Sequence, residues 1–198
     1  MHIRTIACLV SATALAGTVN AQIIPFDFQG NAGSGLLPGN ENGTGAETSS
    51  STAIGGETGM GLTYDTVTNV LSFSFEFENL TGGLANVSSG IHFHNTGDVA
   101  DPFGANGGIA FNLNSGTDPN VTLATPLIAF GSSSGVVSGT AQLTEALEED
   151  LRAGRFYLNI HSGAFGGGEL RGNLVEVPAP GAGALLALGG LTLRRRRA

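Results

Sequence analysis

The chain predicts an all-β fold, an antiparallel β-sandwich or Greek-key barrel with one short helix. Three observations predict it. Glycine supplies 32 of the 198 residues, well above a usual share of about 7%, and it falls between short runs in which apolar and polar residues alternate. Several such runs follow one another with turn signals between them, the pattern of packed antiparallel strands. Charged residues are 12% of the chain, about half the usual ~25%, and lysine is absent, which excludes a long Ala/Glu/Lys/Leu helical bundle. No Gly-X-Y period runs through the sequence, so collagen is excluded too.

The elements follow in order. Residues 23–28 read as the first strand. Residues 29–51 are rich in Gly, Asn, Ser and Thr and read as mostly loop. A strand over 52–64 carries a bulge at Gly55-Gly56. The clearest strand is 71–78, where Leu71, Phe73, Phe75 and Phe77 alternate with Ser72, Ser74, Glu76 and Glu78, so one face is core and the other is wet. Asn69 and Thr81-Gly82-Gly83 punctuate its ends. Strands over 87–94, 108–113, 121–130 and 135–143 come next. A helix over 144–153 is capped by Thr144, carries Glu145 and Glu148 at its positive end and stops at Gly154. Strands over 155–161 and 169–175 close the domain.

Both ends read as addresses. In residues 1–21, Arg4 precedes an apolar stretch too short to span a bilayer. Val19-Asn20-Ala21 sets small residues before a cut between Ala21 and Gln22, the pattern of a secretory signal peptide. Cys8, the single cysteine, leaves with this segment, so the mature domain over 22–176 holds no disulfide. At the far end, Val177-Pro178-Ala179-Pro180 precedes a 13-residue apolar run and Arg194, Arg195, Arg196 and Arg197. As helix the run spans about 20 Å against a hydrocarbon core of about 30 Å, a marginal span. The four Arg would hold the C-terminus in the cytoplasm and leave the domain outside. This order of Pro motif, apolar helix and Arg cluster over 177–198 resembles the bacterial PEP-CTERM sorting signal, with Ala179 where that family usually has Glu. The resemblance implies export machinery and an exosortase-type enzyme as partners, transient membrane anchoring through 178–198, and a destination at the cell surface or outside the cell.

Charge narrows the partners further. Residues 22–176 carry 3 Arg against 16 acidic residues, a net charge of −13, so nothing neutralises a phosphate backbone and nucleic acid is excluded. Gly163–Gly168 lacks the Gly-Lys-Ser/Thr step of a phosphate loop. No Gly-x-Ser-x-Gly elbow and no mature Cys nucleophile exist. Asp98 and Asp101 stand outside any EF-hand pattern.

The residues with chemistry to offer are three histidines. In Ile91-His92-Phe93-His94, the core takes Ile91 and Phe93, so His92 and His94 share the opposite face and point outward. By the same parity His161 points outward after Ile160, and Glu169 and Arg171 flank the inward Leu170. If these strands are neighbours, the three His, Arg171 and Glu169 share one polar surface. Two imidazoles spaced His-x-His reach one ion, and a third makes a nitrogen site suited to Cu or Zn. The competing reading is that these side chains bond loops and turns and hold no metal. Both readings stay open at this point.

A family resemblance rests on the same residues. Ile91-His92-Phe93-His94, Asn106-Gly107-Gly108-Ile109-Ala110-Phe111-Asn112-Leu113, Leu143-Thr144, Gly154-Arg155-Phe156-Tyr157-Leu158-Asn159-Ile160-His161-Ser162 and Gly167-Gly168-Glu169-Leu170-Arg171-Gly172-Asn173-Leu174 occur in this order. Together they resemble the CHRD (chordin) domain over residues 52–175, with Gly108 where that family usually has Pro. The resemblance implies an extracellular β-sandwich module, immunoglobulin-like or superoxide-dismutase-like, with no enzyme activity generally assigned. The His-x-His strand, the strand ending in His161 and the strand bearing Arg171 are also similar to copper/zinc superoxide dismutase. There the copper has four His ligands and an Arg guides the anion. Three mature His, no disulfide and a body that repels anions argue against dismutase turnover and leave metal binding as the alternative. The leading expectation is a non-enzymatic, cofactor-free module of the cell surface or extracellular matrix. Its partner would be a matrix polysaccharide or surface protein.

Overall fold

Alternation of large apolar and small polar residues builds this molecule strand by strand. The computed structural model describes residues 22–30, 32–39 and 51–178. Its elements are β1 (Ile23–Gly30), β2 (Gly33–Ser34), β3 (Leu37–Pro38), β4 (Ile54–Asp65), β5 (Val70–Glu78), β6 (Ile91–Asn95), β7 (Gly108–Asn112), β8 (Val121–Leu123), β9 (Gly135–Gln142), α1 (Glu145–Arg152), β10 (Phe156–Ile160) and β11 (Leu170–Glu176). The expected signal segment through Ala21 and the tail from Ala179 onward, with Pro180 and Arg194–Arg197, lie outside the described residues. Among the described residues no helix is long and apolar enough to cross a membrane.

Nine strands form one path, β7-β6-β10-β11-β1-β4-β5-β9-β8, with β2 on β1 and β3 on β11. Every pairing is antiparallel. The sheet curls into a near-closed barrel, as its interior contacts show. β5 and β6 are far apart along the path, yet Phe73 and Phe93 meet edge to face with centroids 5.7 Å apart. Phe28 meets Phe75 in the same way at 5.8 Å. The all-β barrel expectation holds, and the burial of β5 alternates as its sequence does, with Leu71, Phe73, Phe75 and Phe77 inside.

Beyond shifts of a residue or two at strand ends, four features differ from the sequence reading. Within 29–51, read as mostly loop, β2 and β3 add two-residue strands, too short to carry a period. The irregularity of β4 lies between Glu57 and Leu62, while Gly55 and Gly56 stay in register with Phe77 and Glu76. Gly59 and Gly61 both take left-handed backbone there, at φ 57° and 65°, which pushes Met60 out to 82% exposure. β6 begins at Ile91 and not at 87, because Ser88, Ser89 and Gly90 all have positive φ, which extended strand excludes. β8 stops at Leu123 and not at 130. Beyond it Pro126 brings no donor, and Asn114 draws Ile128 away by bonding both its N–H (2.7 Å) and its C=O (2.9 Å).

The helix forms where expected. The Thr144 hydroxyl accepts from the Leu147 N–H, Glu145 and Glu148 occupy the first turn, and Leu151 is buried. Gly154, at φ 73°, ends it. Thr144→Ala is expected to lower stability by about 1 kcal/mol, read as a shifted urea midpoint at unchanged slope.

Candidate functional site

Register places the polar side chains of three adjacent strands in rows. Asn159 on β10 pairs with His92 on β6 and with Arg171 on β11. Tyr157 pairs with His94 on one side and Asn173 on the other. One step beyond β10, the His161 N–H donates to the Gly90 carbonyl and the Glu169 N–H donates to the Ile160 carbonyl. The strands are neighbours, and the expected set of His92, His94, His161, Arg171 and Glu169 does share one face. Parity gave that face correctly.

The face is not outward, however. His92, His161 and Glu169 are 0% exposed, and His94 and Arg171 are 3% exposed. Strands β6 and β10 and the first part of β11 are buried on both sides, because loops lie over the polar face and hand it their carbonyls. Nδ1 of His92 donates to the Ser88 carbonyl (3.1 Å), that of His94 to Gly107 (2.9 Å) and that of His161 to Gly166 (2.9 Å). Arg171 donates to the carbonyls of Ala105 (2.8 Å) and Phe103 (3.2 Å), and Asn173 reaches the Pro102 carbonyl (3.3 Å). An arginine with several donors suits such a role, since each loop carbonyl so bonded needs no water.

Within the layer the rings form a column. The Arg171 guanidinium lies 3.6 Å over the Tyr157 ring, a cation–π contact strengthened by desolvation. Tyr157 stacks on His94, with centroids 4.6 Å apart and planes 3° from parallel. His94 meets His92 at 4.5 Å and His92 meets His161 at 4.7 Å. Nε2 of His92 stands 2.9 Å from Nε2 of His161, and the Asn159 amide reaches the same His161 nitrogen at 3.2 Å. Among the described residues no group of three or more His, Cys, Asp or Glu is set as a ready metal cage.

Glu169 anchors the rim. Its carboxylate accepts from the Ser51 hydroxyl (2.6 Å), the Thr81 hydroxyl (2.7 Å) and the Thr81 N–H (2.9 Å). Burial pushes the carboxyl up, but hydrogen bonds from Ser162, Ser51 and Thr81 outweigh burial and hold it below its ordinary 4.5. Thr81 leads into a turn that binds two other loops. Leu84 exchanges bonds with Ser132 and Gly131, and the Gly163 N–H donates to the Gly83 carbonyl. Gly83 sits at φ 72° with the Gly131 carbonyl where a Cβ would go, so no other residue fits that crossing.

Sequence reasoning missed Tyr157, Asn173, Ser51 and Thr81 as parts of this layer. The available signal was the polar position of Tyr157, Asn159 and Asn173 inside strands whose other face was already apolar. Two clefts lie elsewhere. One of about 510 Å³ is lined by Ile54, Glu57, Glu76, Glu78 and Val136 among others, and one of about 450 Å³ by residues including Asn112, Asp118 and Leu127.

No curated protein and no solved structure matches the chain. The family model described as the CHRD domain matches residues 39–174, taking in β4 through most of β11 and starting earlier than the resemblance over 52–175 suggested. The chain belongs to the CHRD domain family.

Proposed function

We propose that this chain is a non-enzymatic CHRD module exported to the cell surface or extracellular matrix, where it engages a matrix polysaccharide or a surface protein. One observation carries the non-enzymatic part: the side chains with chemistry to offer lie under loops and are bonded to loop carbonyls. A substrate would need open access to them, and the 510 and 450 Å³ clefts are lined by other residues. Export rests on the two sequence addresses, and a disulfide-free domain stabilised by its own core suits any compartment it reaches.

Export is tested on the full chain produced in a bacterium that sorts such tails. The secreted product is expected to begin at Gln22 by intact mass, and deletion of 178–198 is expected to release the domain from the envelope into the medium. Full-length chain retained in the cytoplasm, or surface retention unchanged by the deletion, would overturn the sorting role.

A further inference from the structure

Packing requires residue 107 to be glycine. A Cβ there would collide with the Asn95 carbonyl, so the loop between β6 and β7 reaches the barrel through a residue without a side chain. The residue before it is Asn106, exposed to solvent, and among the described residues it is the one asparagine followed by glycine. Asparagine is a chemically labile residue, and an Asn-Gly step can modify itself. Hydroxide removes the Gly107 amide proton and the nitrogen attacks Asn106 Cγ. A C–N bond forms, the bond from Cγ to Nδ2 breaks, and ammonia leaves. Water then opens the five-membered succinimide at either carbonyl, leaving aspartate or isoaspartate at position 106. A side chain on the following residue would hinder that attack, so the glycine that packing demands also creates the chemistry.

The fold holds the attacking nitrogen away from its target. The Gly107 N–H donates to the Tyr157 hydroxyl (3.2 Å), and the Gly107 carbonyl accepts from Nδ1 of His94 (2.9 Å). On the other side of Asn106, the Ala105 carbonyl accepts from Arg171 (2.8 Å). Asn106 thus lies between two anchored residues, and closing the ring means turning the Gly107 peptide off the Tyr157 hydroxyl. We infer that Asn106-Gly107 is a self-modification site gated by this loop: the succinimide forms when the loop lifts from Tyr157 and His94, and isoaspartate at position 106 then keeps the loop from reseating. Isoaspartate routes the main chain through Cβ and Cγ, which adds one atom and about 1.5 Å of contour. Anchors set for the shorter chain are not both met by the longer one, so the Gly107 bonds give way and the edge of the polar layer at His94 is uncovered. Exposure of Asn106 supplies the water and hydroxide, and a loop opens locally at less cost than the whole domain unfolds. The site stands independently of export and of any matrix partner.

The test incubates the full chain at one mildly alkaline pH, folded and in urea, and follows position 106 by peptide mass mapping, which reads Asn42-Gly43 separately. Conversion is expected in urea, and about tenfold or more slower in the folded chain. Equal rates, or no conversion in urea, would overturn the inference. Tyr157→Phe keeps the ring and removes the hydroxyl that holds the Gly107 N–H. Its folded form should convert severalfold faster, with the rate in urea unchanged, and Asn106→Gln should abolish the conversion at this position. An unchanged rate in folded Tyr157→Phe would eliminate the gate; if that variant does not fold, the unsubstituted chain still decides by its two rates. The isoaspartate form, separated by its added negative charge, is expected to melt lower, to exchange the Gly107 amide faster and to open His94 to carbethoxylation. A converted chain as protected as its parent would contradict the block on reseating.

Discussion

Phe75→Ala lowers the free energy of unfolding by about 3–5 kcal/mol. Phe75 is fully buried in the middle of β5, meeting Phe28 edge to face at 5.8 Å and Phe73 at 6.2 Å. Phe73 in turn meets Phe93 on β6 at 5.7 Å, so this ring sits in the chain of contacts that curls the sheet. Removing it deletes buried apolar surface and leaves a cavity between walls that are hydrogen-bonded on both edges of β5. Such walls collapse poorly, which puts the loss at the upper end of the range. Against a typical total of about 5–15 kcal/mol, that is a large share of the stability. Urea unfolding measures it, and a loss under about 1 kcal/mol would mean the barrel core lies elsewhere.

Glu169→Ala is the second large effect, at about 2–4 kcal/mol. The buried carboxylate accepts from Ser51 and twice from Thr81, so truncation strands those donors beneath the loops they anchor. The same group gives stability an acid limit. Because its folded carboxyl titrates below the ordinary 4.5, its contribution is complete above that value and is lost as pH falls through the folded one. Melting temperature should therefore drop below about pH 4.5, and Glu169→Gln should flatten that part of the profile while lowering the plateau near neutrality. An unchanged acid limb in Glu169→Gln would assign it to other carboxylates.

Most of the barrel was legible because its strands are half of one kind and half of another. The Leu/Phe and Ser/Glu alternation of 71–78 and the capped 144–153 segment state their structure locally. What was not legible came from backbone conformations that residue type does not announce. Ser88 and Ser89 are left-handed beside Gly90, which delays β6, and the irregularity of β4 moved to the glycines flanking Met60. The polar face shows the same division. Parity in Ile91-His92-Phe93-His94 placed both histidines opposite the core, and register confirmed Arg171 in the same layer. Their burial could not be read there, because the cover consists of aperiodic loops contributing carbonyls from Pro102, Ala105, Gly107 and Gly166. A face of polar side chains looks wet in sequence whether water or a loop lies over it.

The buried polar layer depends most on that cover. Carbethoxylation of imidazoles by diethyl pyrocarbonate reads it directly, using the folded chain with His2→Gln, in which His92, His94 and His161 are the remaining histidines. Modification is expected to await urea unfolding and then to reach His92, His94 and His161 together. Three rings reacting in the native protein at the rate of free imidazole would show an open polar surface and contradict the buried layer.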